Sequence, residues 1–203
     1  MSSKVFISYR RSDSAGYAGR LMDRLKTELG QDLLFMDVET IPLGSNFEKV
    51  LHEEIGKCHV LLALIGPTWC DARHENGKRR LDDAKDFVRM EISAGLQRDI
   101  PLIPILLDGA KMPRADQLPN ELKGLTSRNG LDVRHASFNE DVARLAHSLK
   151  EQLDRGGAQH AKTQVSDPSS RNDGREWFLL GHKRNQQALA WLGGGLIVAA
   201  IGA

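Results

Sequence analysis

Apolar residues along the chain alternate between strand-like and helix-like spacing from residue 4 to about residue 153. Short runs rich in β-branched and aromatic residues predict strands at 5–9, 33–37, 59–65, 102–107 and 131–135. Apolar residues at helical spacing between these runs predict helices at 17–29, 47–55, 84–95 and 139–153. The run at 59–65 is apolar almost throughout, as expected of a strand buried on both faces. Such alternation predicts a parallel sheet with helices on both faces.

The order of these elements predicts an α/β fold, a flavodoxin-like doubly wound five-stranded parallel sheet with strand order 2-1-3-4-5. The ligand crevice of this fold lies at the carboxyl ends of the strands, between strands 1 and 3. Residues 8–13, 37–45 and 66–69 are expected to meet there. A phosphoaccepting receiver domain would need an Asp at the end of strand 3, where the chain has Leu64, Ile65 and Gly66. A flavin-phosphate loop would need a Ser/Thr/Gly-rich turn after strand 1, where the chain has two arginines, so both functions are excluded.

Composition allows one ordinary core and an appendage, because the 203 residues are 40% hydrophobic and 27% charged. The 28 Lys and Arg balance 27 Asp and Glu, so the chain has no basic field for nucleic acid, and binding of DNA or RNA is disfavoured. Cys58 and Cys70 lack metal-ligand spacing, and no metal is expected. No secretory h-region opens the sequence, so the folded part, residues 1–153, is expected in the reducing cytosol.

The pattern changes after Leu153. Residues 154–176 are polar, contain Gly and Ser, and lack periodicity, which predicts a flexible linker. Residues 188–203 are apolar without a charge and follow Lys183 and Arg184. The run is shorter than the roughly 20 residues that span a bilayer, but it is still apolar where the sequence stops. We therefore expect 177–203 to contain the start of a single-pass C-terminal transmembrane helix. This helix would anchor the domain on the cytoplasmic side of the inner or plasma membrane. The alternative is a helix that packs on a partner.

Glu91 lies inside the apolar stripe of the third predicted helix, four residues after Phe87 and four before Gly95. A carboxylate in a packing stripe is what a functional site predicts. The alternative is a surface glutamate paired with Lys or Arg, the usual situation of a helical Glu. The neighbouring residues on this face predict apolar surroundings and an uncrowded approach to the carboxylate.

Three segments in this order resemble the Toll/interleukin-1 receptor (TIR) domain. Phe6–Arg11 resembles the first box of the family, 35–44 resembles its strand B and BB loop, and 86–92 resembles the helix that carries the glutamate of NAD-cleaving members. The match covers roughly residues 3–153 and is similar to the enzymatic TIR domains of bacteria and to the animal TIR enzyme of axon degeneration.

This resemblance implies NAD+ as a substrate, without a separate cofactor, and nicotinamide plus ADP-ribose or a cyclic isomer as products. It also implies association with other TIR domains through the BB loop, here Val38 to Asn46, and a role in bacterial immune signalling. A non-catalytic adaptor that recruits other TIR domains is the alternative. The glutamate at the matching position favours the enzyme, because an adaptor surface does not require an acid there.

The resemblance assigns catalysis to Glu91. Cleavage of the nicotinamide–ribose bond develops oxocarbenium character on the sugar, which a nearby carboxylate stabilises. One carboxylate can suffice because nicotinamide leaves as a neutral molecule. Where such enzymes usually place a tryptophan, the chain has Phe87, which also offers an aromatic face for stacking on nicotinamide.

Two arginines follow the first predicted strand. Arg10 and Arg11 are expected to bind the pyrophosphate through bidentate hydrogen bonds, or to form an ion pair with Asp37 or Asp13. Asp37, in the loop after the second strand, is a further candidate for substrate binding.

The other candidates around the crevice each have two possible roles. Tyr9 lines the pocket or fills the core, and Trp69 contacts a base or packs beneath its own loop. Gly44 shapes a loop that controls substrate entry, or an ordinary turn. Cys70 lacks a paired His and Asp in the sequence, so nucleophilic catalysis is not expected.

Overall fold

A parallel sheet forms the centre of the computed structural model, which describes residues 4–36 and 47–163. Within these residues the strand order is β2-β1-β3-β4-β5, and each neighbouring pair is parallel. The strands are β1 (Lys4–Ser8), β2 (Leu34–Met36), β3 (Cys58–Ile65), β4 (Leu102–Leu107) and β5 (Leu131–Val133). The predicted α/β class and strand order are confirmed.

Helices connect the strands as the apolar spacing predicts. They are α1 (Arg11–Leu29), α2 (Phe47–Gly56), α3 (Phe87–Gln97) and α4 (Phe138–Thr163). Short 3-10 helices lie at Gln31–Leu33, Arg80–Asp82, Ala115–Gln117 and Asn120–Ser127. Gly30 follows α1 with φ of 101°, a left-handed value that glycine adopts without strain, so the predicted end of this helix is confirmed.

Two hydrophobic cores lie on opposite faces of the sheet, and β1 contributes to both. Val5 and Ile7 pack with α1 and α4, whereas Phe6 packs with α2 and α3. Successive side chains of a strand point to opposite faces. Ser8 therefore continues the face of Phe6, and so does Arg10, whose backbone is still extended (φ −104°, ψ 114°). This alternation directs both polar side chains towards α3.

Helix boundaries differ from the prediction by three or more residues at three places. Helix α1 begins at Arg11 rather than at residue 17. Helix α3 begins at Phe87 rather than at residue 84, because Asp86 is extended and its side chain accepts a hydrogen bond from the Arg89 backbone as an N-cap. Helix α4 continues to Thr163 and not only to Leu153, so the predicted linker 154–176 is helical over its first part. This part includes Gly156 and Gly157. A glycine in a helix costs about 1 kcal/mol relative to alanine, which is not enough to end a helix that is already propagating.

The chain divides into two units, Met1–Ser166 and Asp167–Ala203. The second unit contains the predicted juxtamembrane and membrane-spanning segment 177–203 and lies outside the described residues. Along residues 4–36 and 47–163, none of the helices has the length and apolar character needed to cross a membrane.

Candidate functional site

A buried carboxylate lies at the carboxyl end of β1. The Glu91 side chain, on the second turn of α3, belongs to a residue that is only 6% exposed. Ser8 donates a hydrogen bond from Oγ to Glu91 Oε2 at 2.6 Å, and Ser8 is itself buried. The prediction that Glu91 lies in the packing face of its helix is therefore confirmed. The sequence placed Ser8 at the crevice but gave it no role, although its place on the same strand face as Phe6 is a signal for one.

Helix α3 approaches β3 closely below this carboxylate. Gly95 allows that approach, because a Cβ at this position would lie 2.9 Å from Leu61 Cδ1. The glycine therefore serves helix–sheet packing. The expected uncrowded approach to Glu91 stays a prediction.

A second polar contact joins the end of β1 to α3, between Arg10 and Asp86. Arg10 donates from Nη1 to Asp86 Oδ2 at 2.9 Å and from Nη2 to Asp86 Oδ1 at 3.0 Å. The two side chains are 3% and 2% exposed. Arg10 thus forms an ion pair as one alternative predicted, but its partner is Asp86, and not Asp37 or Asp13. Asp86 was missed as a site residue, although an Asp directly before an apolar helical run signals an N-cap.

Arg80 approaches the same carboxylate from the 3-10 helix before α3. Its Nη1 lies 3.9 Å from Asp86 Oδ2, beyond hydrogen-bond distance, and its side chain is 40% exposed. The two oxygens of Asp86 already accept from Arg10 and from the Arg89 backbone. Arg10, Arg80 and Asp86 together carry one net positive charge at the N-terminus of α3.

Phe87 is exposed rather than packed. The residue is 58% exposed, the one large hydrophobic side chain so exposed among those that the structure describes. Helical spacing places Phe87 on the face of Glu91, but as the first residue of α3 it is not buried with that face. Its predicted stacking on nicotinamide stays a prediction. Its ring is accessible to a ligand or to another protein.

Asp13, which was expected only as an ion-pair partner of Arg10 or Arg11, holds the turn after β3. It accepts hydrogen bonds from the backbone N–H groups of Gly66 at 2.9 Å and Thr68 at 2.8 Å, and from Thr68 Oγ1 at 2.6 Å. A Cβ at Gly66 would lie 2.3 Å from Asp13 Oδ2. A side chain at this position would therefore displace the Asp13 carboxylate. The three hydrogen bonds join the start of α1 to the turn after β3.

The remaining predicted site residues are dispersed. Tyr9 is partly buried against the core formed with α1 and α4, which favours its core role. Trp69 is 1% exposed and packs beneath its own loop, with the Arg10 guanidinium carbon 6.0 Å from its ring centroid. Arg11 is exposed at the start of α1. Asp37 and Gly44 lie outside the described residues, so their predicted roles stay predictions.

The cysteine environments do not favour thiolates. Burial and the nearby Glu54 raise the pKa of Cys58 to about 12, and burial raises the pKa of Cys70. Over the part of the chain that the structure describes, no three His, Cys, Asp or Glu side chains are grouped so that they could hold a metal ion.

A cavity of about 490 Å³ opens at the carboxyl ends of β3 and β4. It is lined by the turn at Gly66 and Cys70 and by the segment that includes Asp108, Lys111 and Met112. Glu91, Arg10 and Phe87 do not line it.

Curated relatives match most of this domain but extend far beyond it. The chain is 28% identical over 146 residues to the protein named NAD(+) hydrolase sarm1 of Drosophila melanogaster, which covers 72% of this chain and 10% of the relative. It is 25% identical over 152 residues to NAD(+) hydrolase tir-1 of Caenorhabditis elegans, which covers 74% of this chain and 15% of that relative. The chain therefore spans only a small part of each relative's length.

A solved structure has the same fold. The TIR domains of the activated Roq1 resistosome, which directly recognises the pathogen effector XopQ, match with a TM-score of 0.50 and 14% sequence identity. The match covers 75% of this chain and 99% of that one, and at this identity it shows the fold alone. The model of the family described as TIR domain matches residues 5–149. The ordered motifs, the sheet topology and this match lead to one conclusion: the chain belongs to the TIR domain family.

Proposed function

We propose that this TIR domain cleaves the bond between nicotinamide and ribose in NAD+, with Glu91 as the catalytic carboxylate. One observation carries the proposal: Glu91 is buried at the carboxyl end of β1, and Ser8 Oγ donates to its Oε2 at 2.6 Å. The similarity to two proteins named NAD(+) hydrolases supports the choice of substrate. Both relatives are much longer, so the substrate is assigned to this domain by proposal.

The chemistry requires little more than a positioned negative charge. As nicotinamide leaves, positive charge develops on the ribose, and a carboxylate in surroundings of low dielectric stabilises that charge more strongly than it would in water. The hydroxyl of Ser8 fixes one carboxylate oxygen, so the other is oriented before substrate arrives. Attack by water then gives ADP-ribose, and attack by a group of the substrate gives a cyclic isomer.

Phe87 provides the aromatic surface of the proposed site. Its exposed ring, four residues before Glu91 on the same helix, lies one turn away from the carboxylate. If the ring stacks on nicotinamide, Phe87→Trp should keep or raise turnover and Phe87→Ala should lower it strongly. Equal turnover in all three proteins would remove Phe87 from the site.

Release of nicotinamide tests the proposal directly. Purified chain is incubated with NAD+, and free nicotinamide is measured by chromatography for the wild type, Glu91→Gln and the control Glu140→Gln, which changes an exposed glutamate of α4. We expect the first variant to lose turnover while it keeps the wild-type melting temperature, and the control to keep both. Wild-type turnover in Glu91→Gln would reject the assignment of the carboxylate.

The second candidate function is a non-catalytic adaptor that binds other TIR domains. The exposure of Phe87 favours it, because a large apolar side chain in water is also typical of a protein-contact surface. The two functions differ in one measurement. An adaptor would release no nicotinamide from NAD+ at any protein concentration, including after artificial clustering.

We further propose that turnover depends on self-association, as the resemblance implies. A site shared between subunits would make specific activity rise with enzyme concentration or with clustering on beads. Specific activity that stays constant over a wide dilution series would show instead that each monomer carries a complete site. The loop at 38–46, which the resemblance assigns to this contact, lies outside the described residues.

A further inference from the structure

Arg10 was the first candidate for a phosphate ligand, but the fold uses it elsewhere. Both of its terminal nitrogens bind Asp86, and its side chain is 3% exposed. Its Nε is buried without a hydrogen-bond partner, but a substrate reaches this guanidinium only if the side chain moves, and loss of the buried ion pair is strongly destabilising. The proposed substrate carries two phosphate charges, so a cation with available donors is sought near the start of α3; Arg11, the other predicted ligand, is exposed at the start of α1.

Other arginines near the start of α3 are also engaged. Arg79 donates to Asp82 at 2.6 and 3.1 Å and to the Gln117 carbonyl at 2.9 Å. Arg89 donates to Glu121 and to the Leu81 carbonyl. Each of these guanidinium groups has short hydrogen bonds to fixed acceptors, so a ligand would have to compete for them.

Arg80 differs from these three residues. Its guanidinium has only the 3.9 Å ion pair with Asp86, and among the described residues no hydrogen bond from that group is found. Its backbone is fixed nonetheless, because its N–H donates to the Ala72 carbonyl at 2.8 Å and Arg73 and Arg79 form an antiparallel bridge. The 40% exposed side chain is thus a cation with unused donors on a fixed support.

Arg80 lies near the N-terminal end of the helix that carries Glu91. Its partner Asp86 caps α3, and Glu91 lies five residues further along the same helix, a rise of about 7.5 Å. In NAD+ the first phosphate is one ribose away from the bond that breaks. The N-terminus of a helix also favours an anion, and the cluster of Arg10, Arg80 and Asp86 keeps one net positive charge there.

We propose that Arg80 binds a phosphate group of the substrate and so selects phosphorylated nicotinamide nucleosides over unphosphorylated ones. This inference rests on the proposed function for the reaction, but not for the binding of phosphate. A guanidinium forms bidentate hydrogen bonds with phosphate oxygens and keeps its charge at all relevant pH values. Approach of a phosphate would lengthen the weak contact with Asp86 at little cost, since Asp86 keeps Arg10.

Substrates with different numbers of phosphates separate a binding role from a structural one. Nicotinamide release from NAD+, nicotinamide mononucleotide and nicotinamide riboside is measured for the wild type, Arg80→Gln, Arg80→Lys and the control Arg73→Gln. Arg73 is exposed on the same hairpin and bonds only the Gly77 carbonyl among the described residues. We expect Arg80→Gln to raise KM for the two phosphorylated substrates about tenfold, because one charge-assisted contact is lost. The same variant should change kcat/KM for nicotinamide riboside less than twofold. Arg80→Lys should restore part of the loss, and the control should match the wild type.

Equal losses on all three substrates would overturn the inference, since a merely structural residue would affect each of them, and unchanged KM for NAD+ would overturn it as well. Binding provides a second arm that does not need turnover. Titration of inorganic pyrophosphate into the Glu91→Gln chain by calorimetry should give weaker binding after Arg80→Gln than after Arg73→Gln, and equal affinities would reject the site. If the wild type releases no nicotinamide but this difference in affinity is found, the proposed reaction fails while the phosphate site stands.

Discussion

Breaking the ion pair between Arg10 and Asp86 should cost the domain a large part of its stability. Loss of one partner leaves the other charge buried, which costs about 3–5 kcal/mol, whereas a whole domain is stable by about 5–15 kcal/mol. The geometry supports the upper part of that range, because two hydrogen bonds of 2.9 and 3.0 Å join side chains that are 3% and 2% exposed. Arg80, 3.9 Å from Asp86, compensates little after removal of Arg10.

A double-mutant cycle isolates this interaction. Arg10→Met removes the charge and keeps a long apolar side chain, and Asp86→Asn removes the charge but keeps an N-cap acceptor for the Arg89 backbone. Urea unfolding at neutral pH, followed by circular dichroism, gives the free energy of unfolding of each protein. Each single variant should lose about 3 kcal/mol or more, and the double variant should be more stable than the sum of the two losses predicts by about 2 kcal/mol or more.

The control is the exposed pair Arg114–Asp116, whose side chains are 71% and 69% exposed. Arg114→Met should change stability by less than about 1 kcal/mol, as is usual for a surface ion pair. A loss in Arg10→Met no larger than in this control would refute the structural role of Arg10. Arg10 would then return as a candidate ligand of the substrate, and Arg10→Lys, which keeps the charge, would distinguish the roles by its KM for NAD+.

Three further predictions concern other contacts of the fold and site. Ser8→Ala should lower kcat about 10- to 100-fold with KM little changed, since a hydrogen bond to a charged group contributes about 1.5–3 kcal/mol. Ser8→Thr, which keeps the hydroxyl, should recover part of the lost kcat. Equal rates in all three proteins would remove Ser8 from catalysis. Gly66→Ala should lower the unfolding free energy by about 1–3 kcal/mol, because its Cβ displaces the Asp13 carboxylate. The control Gly16→Ala, whose Cβ has open space on α1, should be neutral or slightly stabilising. A larger loss of stability in Gly16→Ala than in Gly66→Ala would refute the steric argument. For Asp141, burial opposes ionisation, but hydrogen bonds from Ser137, the Arg134 backbone and Arg144 outweigh it and hold its pKa at about 2. The stabilisation of the fold by the ionised Asp141 is therefore complete above about pH 4 and is lost as the pH falls towards 2. Asp141→Asn should lower the unfolding free energy by about 1–2 kcal/mol at pH 6, a value discounted for the exposed arginine partners, and by progressively less at lower pH. A loss that does not change with pH would contradict the assignment.

The sequence predicts the faces of this domain better than it predicts the contacts between them. The apolar run at 59–65 indicated a central strand, and β3 is buried along nearly its whole length. The helical stripe indicated that Glu91 points into the protein, and it does. These properties depend on periodicity within one element, which a local pattern records.

Pairing between distant side chains is not recorded in this way. Arg10 and Asp86 are 76 residues apart, and which acid meets the arginine depends on how far α3 lies along the sheet. The exposure of Phe87 was missed for a related reason. Spacing assigns it to the apolar face, but burial also requires a neighbouring element beside the first turn of the helix. Arg80 follows no apolar pattern, and its relation to Asp86 arises only from the fold of the preceding hairpin.

Two contacts between the end of β1 and the start of α3 determine which groups of the proposed site can change position. Ser8 and Arg10 lie two residues apart on one face of the strand, and Glu91 and Asp86 lie five residues apart on the helix, so the two elements are joined at two separate points. Both contacts are internal to one chain, and both are buried. The position of the carboxylate is therefore fixed by folding alone. If turnover depends on self-association, the association has to change the groups that bind and orient the substrate. Specific activity of the wild type should then rise with protein concentration, whereas Glu91→Gln should be inactive at every concentration.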